Sequence, residues 1–176
     1  RRGGAVVPHR DLHDPALAGQ SDRTRLKLRM AESVEREGFF DLIDPFIDTL
    51  FDDPPDTLAP GQASVKYSWD VPLGEHYLGE GPGQVEVYGI FPHMHERGRK
   101  WSARLVDGDE STCAADVQRW DFDWQLYYFY EQPRIVRAGT RLEVTCDFDT
   151  RGAAGPVTPG WGTQNEMCLA GLYIVP

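Results

Sequence analysis

An all-β domain, an antiparallel β-sandwich of the jelly-roll type with at most one or two short helices, is what this sequence predicts. Three observations carry that expectation. Short segments rich in β-branched and aromatic residues recur along the chain, Gly, Pro and Asp turns separate them, and only one stretch carries a helical signature. Such spacing suits a sandwich better than βαβ units.

The candidate strands run in order. Arg25 to Ala31 and Ser64 to Asp70 alternate apolar with polar residues, and Val85 to Met94 is longer and more apolar. Lys100 to Val106 alternates again, Tyr127 to Glu131 is aromatic, Arg141 to Phe148 alternates without a break, and Ala170 to Val175 is apolar. Turns are expected at Asp107-Gly108-Asp109, at Ala138-Gly139-Thr140 and across residues 152–160. Trp120, Phe122 and Trp124 also alternate and read as one face of a core strand. The exception is Asp44 to Phe51, where an Asp suited to an N-cap precedes Pro45, and Ile47, Leu50 and Phe51 share a face, which predicts a short surface helix. Asp41, Asp44, Asp48, Asp52, Asp53 and Asp56 lack the Gly and Glu spacing of a calcium loop and read as a solvated acidic face.

Residues 1–23 read as an arm or a remnant linker from an upstream domain, with residues 24–176 as the folded domain. His9 and His13 lie four apart in that arm, but Pro8 and Pro15 argue against a helix that would pair them. The 176 residues carry a net charge of -10, which argues against nucleic acid or an anionic membrane surface as partner and leaves a small molecule easier to defend. No apolar run is long enough for a membrane span, and the first residues lack the apolar segment of a signal peptide, as would the start of a processed chain.

His93-Met94-His95 and the distant Glu166-Met167-Cys168 carry the chemistry. Two histidines two apart in extended chain project from one face, so both imidazoles can meet one metal. A thioether as third ligand, Met167, points to copper rather than zinc. Of the three cysteines, a bridge between Cys146 and Cys168 would hold the methionine loop against a strand and imply an oxidising compartment, whereas three reduced thiols would suit the cytosol. Cys113 reads as free and buried, or paired outside the chain. Arg97, Arg99 and Lys100 follow the histidines and read either as a solvated turn or as a guide for an anionic reductant such as ascorbate.

These residues resemble the copper type II, ascorbate-dependent monooxygenase family. The likeness runs from about His9 to Tyr173 and rests on His93-Met94-His95 followed by Gly98-Arg99, on Trp124-Gln125 with Tyr127, on Gly139 before Leu142 and Cys146, and on Gly162 leading to Glu166-Met167-Cys168. The resemblance implies a jelly-roll domain whose copper, held by His93, His95 and Met167, binds oxygen and hydroxylates a C–H bond, with a Cys146–Cys168 disulfide and a secreted, periplasmic or extracellular location. It implies a second copper, carried by an upstream domain or a partner chain with a His-His pair that this sequence lacks; His9 is then a candidate ligand completed elsewhere. Glu166 is expected to support the site, and Gln125 to hydrogen-bond near it. Where the peptide-amidating members have Arg, Asn and Tyr anchors, this chain has Phe91, Leu169 and Gly171, so Phe91, Gln125 and Leu169 should line a more apolar pocket for a non-peptide substrate. The other readings are a standalone copper carrier and a structural jelly-roll subunit without turnover.

Overall fold

A computed structural model describes Lys27, Met30 and residues 32–78 and 83–176. The chain divides into two compact units, Arg1–Glu35 and Arg36–Pro176. Among its described residues the second holds eight strands and two short helices: β1 (Phe39–Ile43), α1 (Pro45–Asp48), β2 (Val65–Val71), α2 (Leu73–Leu78), β3 (Gln84–His93), β4 (Gly98–Asp107), β5 (Glu110–Val117), β6 (Tyr128–Arg137), β7 (Arg141–Phe148) and β8 (Leu169–Val175).

Two four-stranded antiparallel sheets face each other, one ordered β1-β8-β3-β6 and the other β2-β7-β4-β5. The first strand therefore pairs with the eighth, the second with the seventh, the third with the sixth and the fourth with the fifth. That nesting is a long hairpin wrapped into two Greek keys, the jelly-roll arrangement expected. The hairpin closes at Gly108-Asp109 between the paired Asp107 and Glu110, with Gly108 at φ 58°, a left-handed conformation that glycine adopts at little cost.

The core lies between the sheets. Val87, Ile90, Ala170, Leu172 and Ile174 meet Trp101, Ala103, Leu142, Val144, Cys146 and Phe148, and Phe46, Leu58 and Leu73 close its ends. In β7 every second residue from Leu142 to Phe148 is buried, the pattern of a strand with one face on the core. Pro92 sits on a central strand, where it pairs with Ala170 of β8 beyond Ile90, the point at which β6 stops pairing with β3. Asp44 caps α1 by accepting from the amides of Phe46 and Ile47, with Pro45 in the first turn; a 3-10 turn, Thr49–Phe51, follows.

Several expectations are corrected. Trp120 to Trp124 forms no strand: residues 118–127 make a looping connection in which Trp120 is buried and Trp124 is 62% exposed. Cys113 is free but exposed, on edge strand β5. β1, β5 and α2 were not foreseen. The expected strand Arg25 to Ala31 lies outside the described residues apart from Lys27 and Met30, and His9, His13 and the 1–23 arm lie wholly outside them. Among the described residues, no helix is long and apolar enough to cross a membrane.

Candidate metal centre

His93 is the last residue of β3, where it pairs with Leu169 at the start of β8. Met94 then turns fully into the core, which leaves His95 on the same side as His93. Their ring centres stand 5.1 Å apart with planes at 85°. An ion about 2 Å from a nitrogen of each ring sets the ring centres about 5 Å apart at a near-tetrahedral angle. The observed pair fits that requirement.

Neighbouring acceptors fix which nitrogen of each ring carries the proton. The Gln125 amide nitrogen donates to Phe122 O at 2.7 Å, which turns its Oε1 towards His93 Nδ1 at 2.5 Å. An amide oxygen only accepts, so His93 carries its proton on Nδ1. The Asn165 carbonyl plays the same part for His95 Nδ1 at 3.0 Å. Both imidazoles thus keep the Nε2 lone pair for a ligand bond, the arrangement that outer partners impose on metal-binding histidines. Burial pushes both histidines below their ordinary pKa; the Gln125 bond opposes it at His93, and the Asn165 and Gly162 carbonyls oppose it at His95.

Met167 belongs to a segment bound to these histidines on either side. Asn165 O meets the His95 ring, Glu166 accepts from the His95 amide (2.8 Å) and the Arg97 amide (2.7 Å), and Leu169 pairs with His93. Among the described residues, no group of three His, Cys, Asp or Glu side chains is placed to hold a metal. Met167 adds a thioether, a soft donor, to that segment. Met167 is 7% exposed and borders a cavity of about 350 Å³ that Leu169, Trp161 and Asp44 also line.

Three indoles, none assigned a part in the site by sequence reasoning, hold this backbone in place. Trp69 donates to Cys168 O at 2.7 Å, Trp101 to Leu169 O at 3.1 Å and Trp120 to His95 O at 3.1 Å. A buried tryptophan needs an acceptor for its N–H, and that requirement was the available signal. The Cys146–Cys168 disulfide, with Cα atoms 5.9 Å apart, ties β7 of one sheet to the residue after Met167, just before β8 of the other. Glu166 is fully buried, and burial pushes its carboxyl up to about 7 against the His95 and Arg97 amides.

Beyond His93 the surface is aromatic. Phe91 stacks 5.8 Å from the His93 ring, Tyr127 stacks on Phe91 at 4.7 Å, and Phe40 meets Tyr127 at 4.8 Å. Gly171 pairs with Phe91, and a Cβ there would stand 3.0 Å from Phe91 Cβ and 3.2 Å from the Tyr127 hydroxyl. Tyr127 therefore lies over the space that a side chain at residue 171 would fill. Of the following cations, Arg97 reaches Gln164 O at 3.3 Å and Arg99 reaches Gly98 O at 2.7 Å, while Asp149 lies between Arg99 and Arg151.

The comparisons agree with this architecture. The chain is 31% identical over 104 residues to the DBH-like monooxygenase protein 1 of Gallus gallus, covering 58% of this chain and 17% of that protein. It is 27% identical over 93 residues to the tyramine beta-hydroxylase of Caenorhabditis briggsae, covering 52% and 16%. The matches thus span less than a fifth of either relative's length. Residues 79–175, more than half of the chain and including His93, His95, Gln125 and residues 165–169, match the family model of the copper type II ascorbate-dependent monooxygenase C-terminal domain, and the chain belongs to that family.

Proposed function

We propose that this domain is the oxygen-binding copper half of a monooxygenase, with His93, His95 and Met167 as ligands, and that it hydroxylates a C–H bond of an apolar, non-peptide organic substrate. The observation that carries the reading is the pair of Nδ1 hydrogen bonds, to Gln125 Oε1 and Asn165 O, that leaves the Nε2 lone pair free on two neutral rings whose centres stand 5.1 Å apart. Copper bound there would supply dioxygen activation and one-electron chemistry. The protein's part is binding, orientation and exclusion of water. Phe91 and Tyr127 supply an apolar wall next to His93, and Gly171 with Leu169 offers no cation or amide to hold a peptide carboxylate. Glu166 spends both oxygens on backbone amides, which fits a reaction without a protein general base.

The electron-storing copper belongs, on this reading, to an upstream domain or partner chain with a His-His pair, and His9 contributes one ligand to it. An ascorbate-like reductant supplies the electrons. The Cys146–Cys168 bridge supports a secreted, periplasmic or extracellular location. Copper titration of the purified chain tests the ligand set. One copper per chain is expected, with loss of binding in His93→Ala and Met167→Ala; unchanged copper content in either variant would refute it. Oxygen consumption with ascorbate and an apolar substrate, appearing only when a second copper domain is supplied, separates the oxygenase from a copper carrier.

A further inference from the structure

We propose that Glu166 is a positioning residue that fixes the thioether of Met167 relative to the two histidines, so that copper binding depends on its carboxylate. The inference rests on the copper reading above and adds a residue to which that reading gives no ligand role. Glu166 links the two ligand-bearing segments in opposite directions. Its side chain reaches across 71 residues of sequence, with Oε2 accepting from His95 N at 2.8 Å and Oε1 accepting from Arg97 N at 2.7 Å. Its backbone leads directly into Met167.

The Glu166 backbone is itself held. Its amide donates to Thr158 O at 3.1 Å and its carbonyl accepts from Gly160 N at 3.2 Å. A shift of the His95–Arg97 turn relative to Met167 would therefore break either a carboxylate bond or a backbone bond. The residue has no exposed surface, so no solvent stands ready to replace a lost partner.

Both carboxylate oxygens are engaged by N–H donors, and that distinguishes a carboxylate from its amide. Glutamine is nearly the same shape but offers one acceptor; its NH2 group would face either the His95 or the Arg97 amide, donor against donor. The turn would then have to move away from residue 166, taking the His95 ring with it while leaving His93, which is held by β3 and Gln125, in place.

The test uses Glu166→Gln in the full chain. Cu(I) affinity is measured anaerobically by competition with a chromophoric chelator, and the sulfur contribution to copper X-ray absorption is recorded. Loss of an outer partner of this kind weakens metal binding about 10–100-fold, and the same loss is expected here, with a diminished sulfur signal from a protein whose near-UV circular dichroism still shows packed aromatic residues. Glu166→Asp, which keeps the charge but withdraws it by one methylene, is expected to weaken copper in the same direction and serves if the glutamine variant does not fold. Wild-type affinity with an intact sulfur signal in whichever variant folds would overturn the proposal. Failure of the copper reading itself would look different, because the unmodified chain would then bind no copper.

Discussion

Removing the bridge beside Met167 gives a prediction with a magnitude set by the structure. Cys146 and Cys168 are both fully buried and 22 residues apart. Closing a loop of that length removes about 11 cal/mol/K of entropy from the unfolded chain, or about 3.4 kcal/mol at room temperature. Replacing both residues with alanine avoids burying new hydroxyls, so Cys146→Ala/Cys168→Ala should lose about 3–4 kcal/mol, with a small further cost for the missing sulfur atoms. Guanidinium unfolding of the metal-free protein measures it, and the slope should rise slightly because the uncrosslinked chain exposes more surface. Trp69 and Trp101 still hold Cys168 O and Leu169 O, so the variant should retain copper more weakly rather than lose it. A stability loss below about 1 kcal/mol would refute the argument that this cross-link joins the sheets against an open unfolded chain.

Two other predictions test the surroundings. Gln125→Leu leaves His93 Nδ1 without its acceptor, and loss of such a partner should weaken copper about 10–100-fold; chelator competition measures it, and wild-type affinity would count against the orienting role. Burial pushes the Asp44 carboxyl up from 3.8 to about 6, against the amides of Ile47, Cys168 and Phe46. Because the folded value exceeds the unfolded one, the stability this group contributes is complete below pH about 4 and is lost as pH rises through about 6. Asparagine caps a helix equally well and does not titrate, so Asp44→Asn should gain on the order of 3 kcal/mol relative to the parent between pH 4 and pH 7. Paired denaturation curves at the two pH values check it; a difference that stays flat would mean that Asp44 titrates at its ordinary value.

The strands that alternation revealed are those with a face on the core. β7 occurs with its expected bounds and β2 within a residue, because every second side chain is buried in β7 and buried or half-buried in β2, and sequence period reports burial. β1 and β5 are edge strands, as β2 is, but unlike β2 they set no regular row of side chains on the core. β1 exposes Phe39, Phe40 and Leu42, and β5 is rich in small and polar residues, so neither carries a period that burial would impose. Trp120, Phe122 and Trp124 show the converse failure: they alternate, yet only Trp120 is buried, and it is buried to bond His95 O. At the centre, His93, His95 and Gln125 do come together. Asn165 was illegible because its contribution is a backbone carbonyl, which any residue supplies. Glu166 was legible as an acid next to Met167 but not as the acceptor of two distant amides, since that depends on the register between β3 and β8.

The proposed ligand set also bears on which ion it suits. His93 and His95 are oriented by an amide oxygen and a backbone carbonyl, neither of them charged, so neither imidazole gains anionic character from its partner. Met167 is neutral as well. Of the buried carboxylates, Glu166 has both oxygens occupied by backbone amides, and Asp44, which borders the cavity beside Met167, caps α1 with a carboxyl that burial pushes up to about 6. His95 is only 4% exposed and Met167 only 7%, and uncompensated charge in such surroundings is costly. A monovalent ion leaves half the charge of a divalent one in this pocket, and the thioether favours the softer state. On the proposed ligand set, the chemistry of these donors would favour reduced copper over zinc, which has only the divalent state and prefers a thiolate or carboxylate where this chain offers a methionine.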